Sequence, residues 1–132
     1  MTTETTLLDL FEAVEVDTTT FHHPEHVHVA FAMLNKYSYL DACEKYARTI
    51  KAMAIKAGAP EKFNLTITFA FMSLIADRKS QTPNADLEAF LAASPDVLDQ
   101  QVLMNWYSAE RLQSVEARER FLLPDKLGSL AA

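Results

Sequence analysis

Glycine is nearly missing from this chain of 132 residues, which contains only Gly58 and Gly128. Loops that cradle phosphates need glycines where backbone must approach the anion closely, so a nucleotide-binding loop is not expected. The same scarcity argues against a turn-rich all-β fold. Cysteine is reduced to Cys43, so no disulfide can close within the chain. Its neighbours Leu40, Ala42 and Tyr46 place that thiol in a helical pattern, as a small buried hydrophobe. No apolar run approaches the ~20 residues that cross a bilayer. The N-terminus also lacks a basic stretch leading into an apolar one. The expectation is therefore no secretory leader, no membrane partner and a cytoplasmic location. Lysine and arginine are absent from the first 35 residues, which hold six acids: Glu4, Asp9, Glu12, Glu15, Asp17 and Glu25. The remaining residues carry twelve acids and twelve bases, which leaves the net charge at −6. With no basic stripe, a nucleic-acid partner is not expected. The acidic end adjoins a run of histidines and would favour a cation there if the fold brings the two together.

What is present is ordinary globular material, 49% hydrophobic and 23% charged. A chain of this length reads as one helical domain, 1–132, that buries roughly two-thirds of its unfolded surface. Leu7, Leu10, Phe11 and Val14 fall at helical spacing, so residues 1–20 read as a short amphipathic helix or an arm. Pro24 suits the first position of the next helix, where Val27, Ala30, Phe31 and Leu34 make one apolar stripe and His26, Val29 and Met33 another. That helix should run through the core to about Lys36. Ser38 and Asp41 form a capping-box variant opening a helix that runs to about Ala57 and stops at Gly58. Its inner face is expected to be Leu40, Cys43, Ala47, Ile50 and Ala54. Asn64 can cap a helix from Leu65 to about Lys79; the run Thr66-Ile67-Thr68 suits a strand, but a lone strand finds no partner in the chain. Thr82-Pro83 reads as the start of a helix through Ala92, and Ser94-Pro95 as the start of another through Trp106. Ser108 and Ser114 are further caps. The predicted fold is all-α, an irregular or orthogonal bundle of five to seven helices.

All four histidines fall within Phe21-His22-His23-Pro24-Glu25-His26-Val27-His28. Histidine is the commonest metal ligand and the commonest general base near neutral pH. His22 and His26 have H-x-x-x-H spacing, and His23 and His26 have H-x-x-H spacing. On a continuous helix either pair shares a face. Pro24 disfavours helical backbone at the residue before it, which makes His23 the cap or its predecessor and leaves His22 outside the helix. His26 and His28 point about 200° apart and cannot serve one site. His26 is expected to face inward beside Val29 and Met33, and His28 to lie near the surface. The partial positive charge of the helix start disfavours imidazolium, so His23 and His26 should tend towards neutral. The same dipole opposes a bound cation, so a metal set of His22, His23 and His26 would need a carboxylate such as Glu25. The plain structural alternative is a histidine that caps the helix or bonds a neighbouring carbonyl. Thr66, Thr68 and Ser73 are polar groups on an apolar helix that either bond back to it or line a pocket. Tyr37, Tyr39, Tyr46, Trp106 and Tyr107 read as packing. The methionines read as core filler that could also line an apolar pocket.

Three stretches carry a resemblance to a family of short, largely uncharacterised bacterial all-helical proteins. They are Phe21-x-His23-x-Glu25-His26 with Ala30 following, Lys62-Phe63-Asn64-Leu65-Thr66-Ile67-Thr68, and Ala117-Arg118-x-x-Phe121-x-x-Pro124-Asp125. In that family the middle stretch typically reads Tyr-His-Glu-Thr-Ile-Thr. The resemblance implies a His-Glu pair meeting the two N-terminal histidines, a sensible ligand set for a divalent metal. Asn64 and Leu65 stand in those two places here, and leucine cannot replace a carboxylate. The resemblance therefore implies a fold and a pocket position, with any metal site lost or remodelled.

The function expected from these features is binding of a small molecule in an apolar pocket. His23 and His26 would lie at its mouth, with Asn64, Thr66, Thr68 and Met33 as ligand-binding wall. The chemistry expected is a non-redox step of proton-transfer, lyase or cyclase type, with His23 and His26 catalytic and His26 the base. The alternatives are a non-catalytic binding or accessory module, forming a homodimer through the acidic N-terminal helix, and a metalloprotein using His22, His23, His26 and Glu25. No cofactor is expected on the first two; a divalent metal belongs to the third.

Overall fold

A computed structural model describes residues 6–126. Among these residues there are seven α-helices and no strand. They are α1 (Leu7–Glu12), α2 (His23–Lys36), α3 (Tyr39–Lys56), α4 (Leu65–Ser80), α5 (Leu87–Ala93), α6 (Ala109–Leu112) and α7 (Val115–Glu119), with short 3-10 turns at Pro60–Lys62, Pro95–Leu98 and Val102–Asn105. The all-α expectation is met. No described helix is long and apolar enough to cross a membrane.

Local capping explains most of the boundaries. Thr6 and Asp9 cap α1 reciprocally, each backbone N–H donating to the other's side chain at 3.1 Å. The helix ends at Val14, whose φ of 57° is costly for a β-branched residue. Its Glu15 N–H donates back to the Leu10 carbonyl at 2.8 Å, closing the turn. Ser38 accepts the Asp41 N–H at 3.2 Å and opens α3, which stops at Gly58 with φ of 74°. Asn64 accepts the Ile67 N–H at 2.9 Å, so the β-branched run is the first turn of α4. Ser108 and Ser114 cap α6 and α7 in the same way.

Helix α2 is the centre of the core. Val27, Val29, Ala30, Phe31 and Met33 are all buried on it, and α1, α3 and α4 pack around it. Both apolar stripes are therefore inside, and His28 is exposed. Helix α1 docks through Phe11, fully buried, with Leu7 and Leu8 partly buried against the same core.

Four local expectations need correction. Helix α2 starts at His23, one residue before the proline, with His22 as cap. Pro24 is tolerated there because the N–H at the second helical position is also unpaired. Leu40 is 74% exposed, and the inner face of α3 is instead Ala42, Cys43, Tyr46 and Ala47. Thr82-Pro83 opens a turn, with Asn84 at φ of 66°. Helix α5 begins only at Leu87, where Asp86 accepts the Ala89 N–H at 2.9 Å. Finally, Ser94-Pro95 opens no long helix. Asp99 takes extended backbone and accepts the Gln101 N–H at 2.9 Å, which splits the segment into two 3-10 turns.

Candidate functional site

The histidine-bearing start of α2 meets α3, α4 and the turns at 95–105 around a cavity of about 230 Å³. His23, His26 and Tyr46 form one side, and Asn64, Ile67, Thr68 and Phe71 of α4 form another. Gln100, Val102 and Leu103 close it from the C-terminal half, with Ile50 and Lys62 completing the lining. No aspartate or glutamate lines it, so its formal charge comes from Lys62 and from whatever proton the histidines carry.

His23 is the first residue of α2, and its Nε2 lies 2.8 Å from the Val97 carbonyl oxygen. A carbonyl only accepts, so Nε2 carries the hydrogen and donates. The bond joins α2 to the 3-10 turn Pro95–Leu98, which is also held by the burial of Val97, and the His23 ring meets Phe71 edge-on. His26 sits one turn further on, with its ring 4.6 Å from that of Phe21 in an edge-on contact. Its Nδ1 lies 3.0 Å from the hydroxyl of Tyr46.

The direction of the His26–Tyr46 bond follows from counting. Tyr46 is buried and its hydroxyl makes no other hydrogen bond among the described residues. If it accepted from His26, its own hydrogen would be left without an acceptor, at about 1–3 kcal/mol. Tyr46 therefore donates to Nδ1, and the hydrogen of the neutral ring sits on Nε2. Burial pushes the His26 pKa from 6.5 down to about 4, assisted by His23 and opposed by Glu25, so the ring is neutral at pH 7. The same burial pushes the Tyr46 phenol up, which keeps its proton in place as the donor. No buried side-chain nitrogen or oxygen among the described residues lacks a partner. Nε2 of His26 has no protein partner, so it must be open, and the cavity is what it lines.

The other candidates divide. Asn64 and Thr68 reach the cavity wall, yet their polar atoms are engaged in the fold. The Asn64 amide donates to the Leu112 carbonyl at 2.6 Å while its oxygen caps α4, and the Thr68 hydroxyl donates to the Asn64 carbonyl at 2.7 Å. Thr66 and Met33 do not line the cavity. Thr66 is wholly buried, donating to the Arg120 carbonyl at 2.7 Å and accepting the Leu122 N–H at 2.9 Å. Met33 is fully buried in the core, about two turns further along α2 than His26 and so beyond the cavity.

The residues suggested for a metal do not assemble. His22 is exposed at the cap, and its N–H donates to the Glu25 carboxylate at 2.8 Å, which completes the helix start. His23 and His26 each have one ring nitrogen engaged by the protein, and no carboxylate joins them. Among the described residues no three His, Cys, Asp or Glu side chains come together as a ligand set. The positions at which the family resemblance implies a His-Glu pair hold a capping asparagine and Leu65, and neither supplies the missing ligand.

The three stretches that carry the resemblance are adjacent in space. The first two share the cavity, and the third is held to α4 through Thr66 and to the 3-10 turn Pro60–Lys62 through an Arg118 hydrogen bond to the Glu61 carbonyl at 3.2 Å. Sequence reasoning missed Tyr46, which it read as packing, and it missed Lys62, Gln100, Val102 and Leu103 altogether. Tyr46 carried one usable signal: a buried tyrosine hydroxyl needs a partner, and a buried histidine is a good one. Comparison with protein-family models, curated proteins and solved structures finds no match to this chain.

Proposed function

We propose that this protein binds a small, mostly apolar molecule that carries a carbonyl or carboxylate oxygen, held in the histidine cavity. The observation that carries this reading is the Tyr46 hydroxyl 3.0 Å from Nδ1 of His26, from which it follows that Nε2–H is the donor left to a mainly apolar cavity. A donor fixed in advance in a mainly apolar site recognises an acceptor at little ordering cost. Lys62 adds a cation at the same cavity with no ion-pair partner among the described residues, and no acid competes with the ligand there. Ile50, Ile67, Phe71 and Val102 suit an apolar body.

Proton transfer fits the same geometry less well. An imidazole titrating near 4 is a weak base at neutral pH, and the basic nitrogen of the neutral ring already accepts from Tyr46. Binding therefore takes precedence over a lyase or cyclase step.

The test is a panel of matched small carboxylates, amides and hydrocarbons titrated by calorimetry against the wild type and His26→Ala. Carboxylates and amides should bind, hydrocarbons of the same shape should bind about tenfold more weakly, and His26→Ala should erase the preference. Equal affinity across the panel, or no binding at all, would remove this reading.

A further inference from the structure

A second cavity, of about 290 Å³, lies beyond Leu103, which lines both. Its lining is chemically different. Trp106, Tyr107 and Phe121 contribute three aromatic rings, with Pro124 beside them and Asp77 and Ser73 of α4 across from them. The Tyr107 hydroxyl is engaged, donating to the Leu122 carbonyl at 2.7 Å, and the residue is buried behind the cleft. The Ser73 hydroxyl is engaged with that of Tyr39 at 2.7 Å. Asp77 is the exception. Its carboxylate is exposed and makes no ion pair or hydrogen bond among the described residues.

The cations that could have answered Asp77 are engaged elsewhere. Its neighbour Arg78 makes a two-point pair with Asp96, one limb at 2.8 Å. Lys79 lies over the Phe31 ring. Arg111 donates to the Leu123 carbonyl at 2.8 Å and Lys126 to the Met104 carbonyl at 2.6 Å. A carboxylate with no ion-pair partner among the described residues, lining one cleft with the accessible aromatic residues Trp106 and Phe121, favours a positive charge twice. The ring quadrupoles attract a cation, and the carboxylate neutralises it. Methylated ammonium groups suit such a place better than a bare ammonium ion, because they lose less hydration on entering an apolar cleft.

We infer that the cleft between α4 and the 102–124 segment is a second binding site, for a small quaternary or methylated ammonium ion, with Trp106 and Phe121 against the charge and Asp77 as its counter-ion. It is independent of the histidine cavity and stands whatever that cavity binds.

Trp106 is the only tryptophan of the chain, so intrinsic fluorescence reports on this cleft. The probes are choline and its uncharged isostere dimethylbutanol, in which carbon replaces the nitrogen. Choline should change Trp106 fluorescence saturably, with one site by calorimetry, and the isostere should bind about tenfold more weakly or worse. Asp77→Asn should weaken choline by a similar factor with an unchanged circular dichroism spectrum, since Asp77 is exposed. Asp77→Glu should restore most of the binding, and His26→Ala should leave it unchanged. Equal binding of choline and its isostere would overturn the inference, as would Asp77→Asn binding like the wild type, or an absence of any saturable signal from the folded wild type.

Discussion

The hydrogen bond from Tyr46 to His26 spans 20 residues of sequence and decides what the histidine can offer. Without the phenol, Nδ1 would be a buried acceptor with no donor. Tyr46→Phe keeps the ring in its contacts with Phe11 and Phe71 and removes only the hydroxyl. The expected cost is about 1–3 kcal/mol, read from the denaturant midpoint. The variant should also raise the His26 pKa above about 4, because a hydrogen bond that held the neutral ring has gone; NMR titration of the ring protons measures this. An unchanged midpoint and an unchanged titration would mean that the two side chains do not depend on each other. His28 is the internal control. It is exposed on the opposite side of α2, and His28→Ala should move neither quantity.

Helix α1 is too short to hold itself, since six residues form fewer than two turns and nucleation of an isolated helix is unfavourable. It stays because Phe11 inserts between Phe21 and Tyr46, with ring centroids 5.6 and 5.5 Å away. Tyr46 lines the His26 cavity and Phe21 rests against the His26 ring. Phe11→Ala should therefore cost about 3–5 kcal/mol and weaken ligand binding as well, although Phe11 touches no ligand. Strong destabilisation with unaltered affinity in the remaining folded protein would show that α1 does not shape the cavity. At the other end, Thr66→Val strands the Leu122 N–H and frees the 120–126 segment from α4. Its expected cost is about 1–3 kcal/mol, with faster hydrogen exchange at Leu122. These elements differ in how legible they were. Asn64, Ser38, Ser108 and Ser114 announce their helices because a cap is a local bond between near neighbours. The segment 82–106 misled because Pro83 and Pro95 fit helix starts and tight turns equally well. Only the Asp86 and Asp99 side chains, which compete for backbone N–H groups, decide between the two.

Across the whole molecule, the pocket's position was legible and its composition was not. His23 and His26 could be placed at a helix start from Pro24 alone, and Asn64 and Thr68 could be placed on the wall opposite them. Thr66 and Met33 could not be assigned a side, because a helix buried on two faces offers no polar stripe to orient it. Gln100 and Val102 belong to the mispredicted segment, so their contribution was hidden with it. One consequence of the assembled pocket reaches global stability. His26 has a folded-state pKa near 4 against 6.5 when exposed, so between those values the unfolded chain binds more protons than the folded one. Stability must then rise with pH across that window and fall as the solution is acidified from 6.5 towards 4, by roughly 3 kcal/mol in all. The carboxylates whose pKa values are lowered, Asp9, Asp17, Asp96 and Asp125, act elsewhere. Their contribution is present above 3.8 and lost only as the pH drops through their depressed values. The slope above pH 4 is therefore assigned to His26, whose neutral form the fold requires. Denaturant unfolding of the wild type and of His26→Gln at several pH values between 4 and 7 measures it. The glutamine variant keeps a polar side chain but cannot titrate, so it should be less stable at pH 7 yet lose much less on acidification. Parallel pH profiles for the two proteins would show that His26 is already charged, or already solvated, in the folded state.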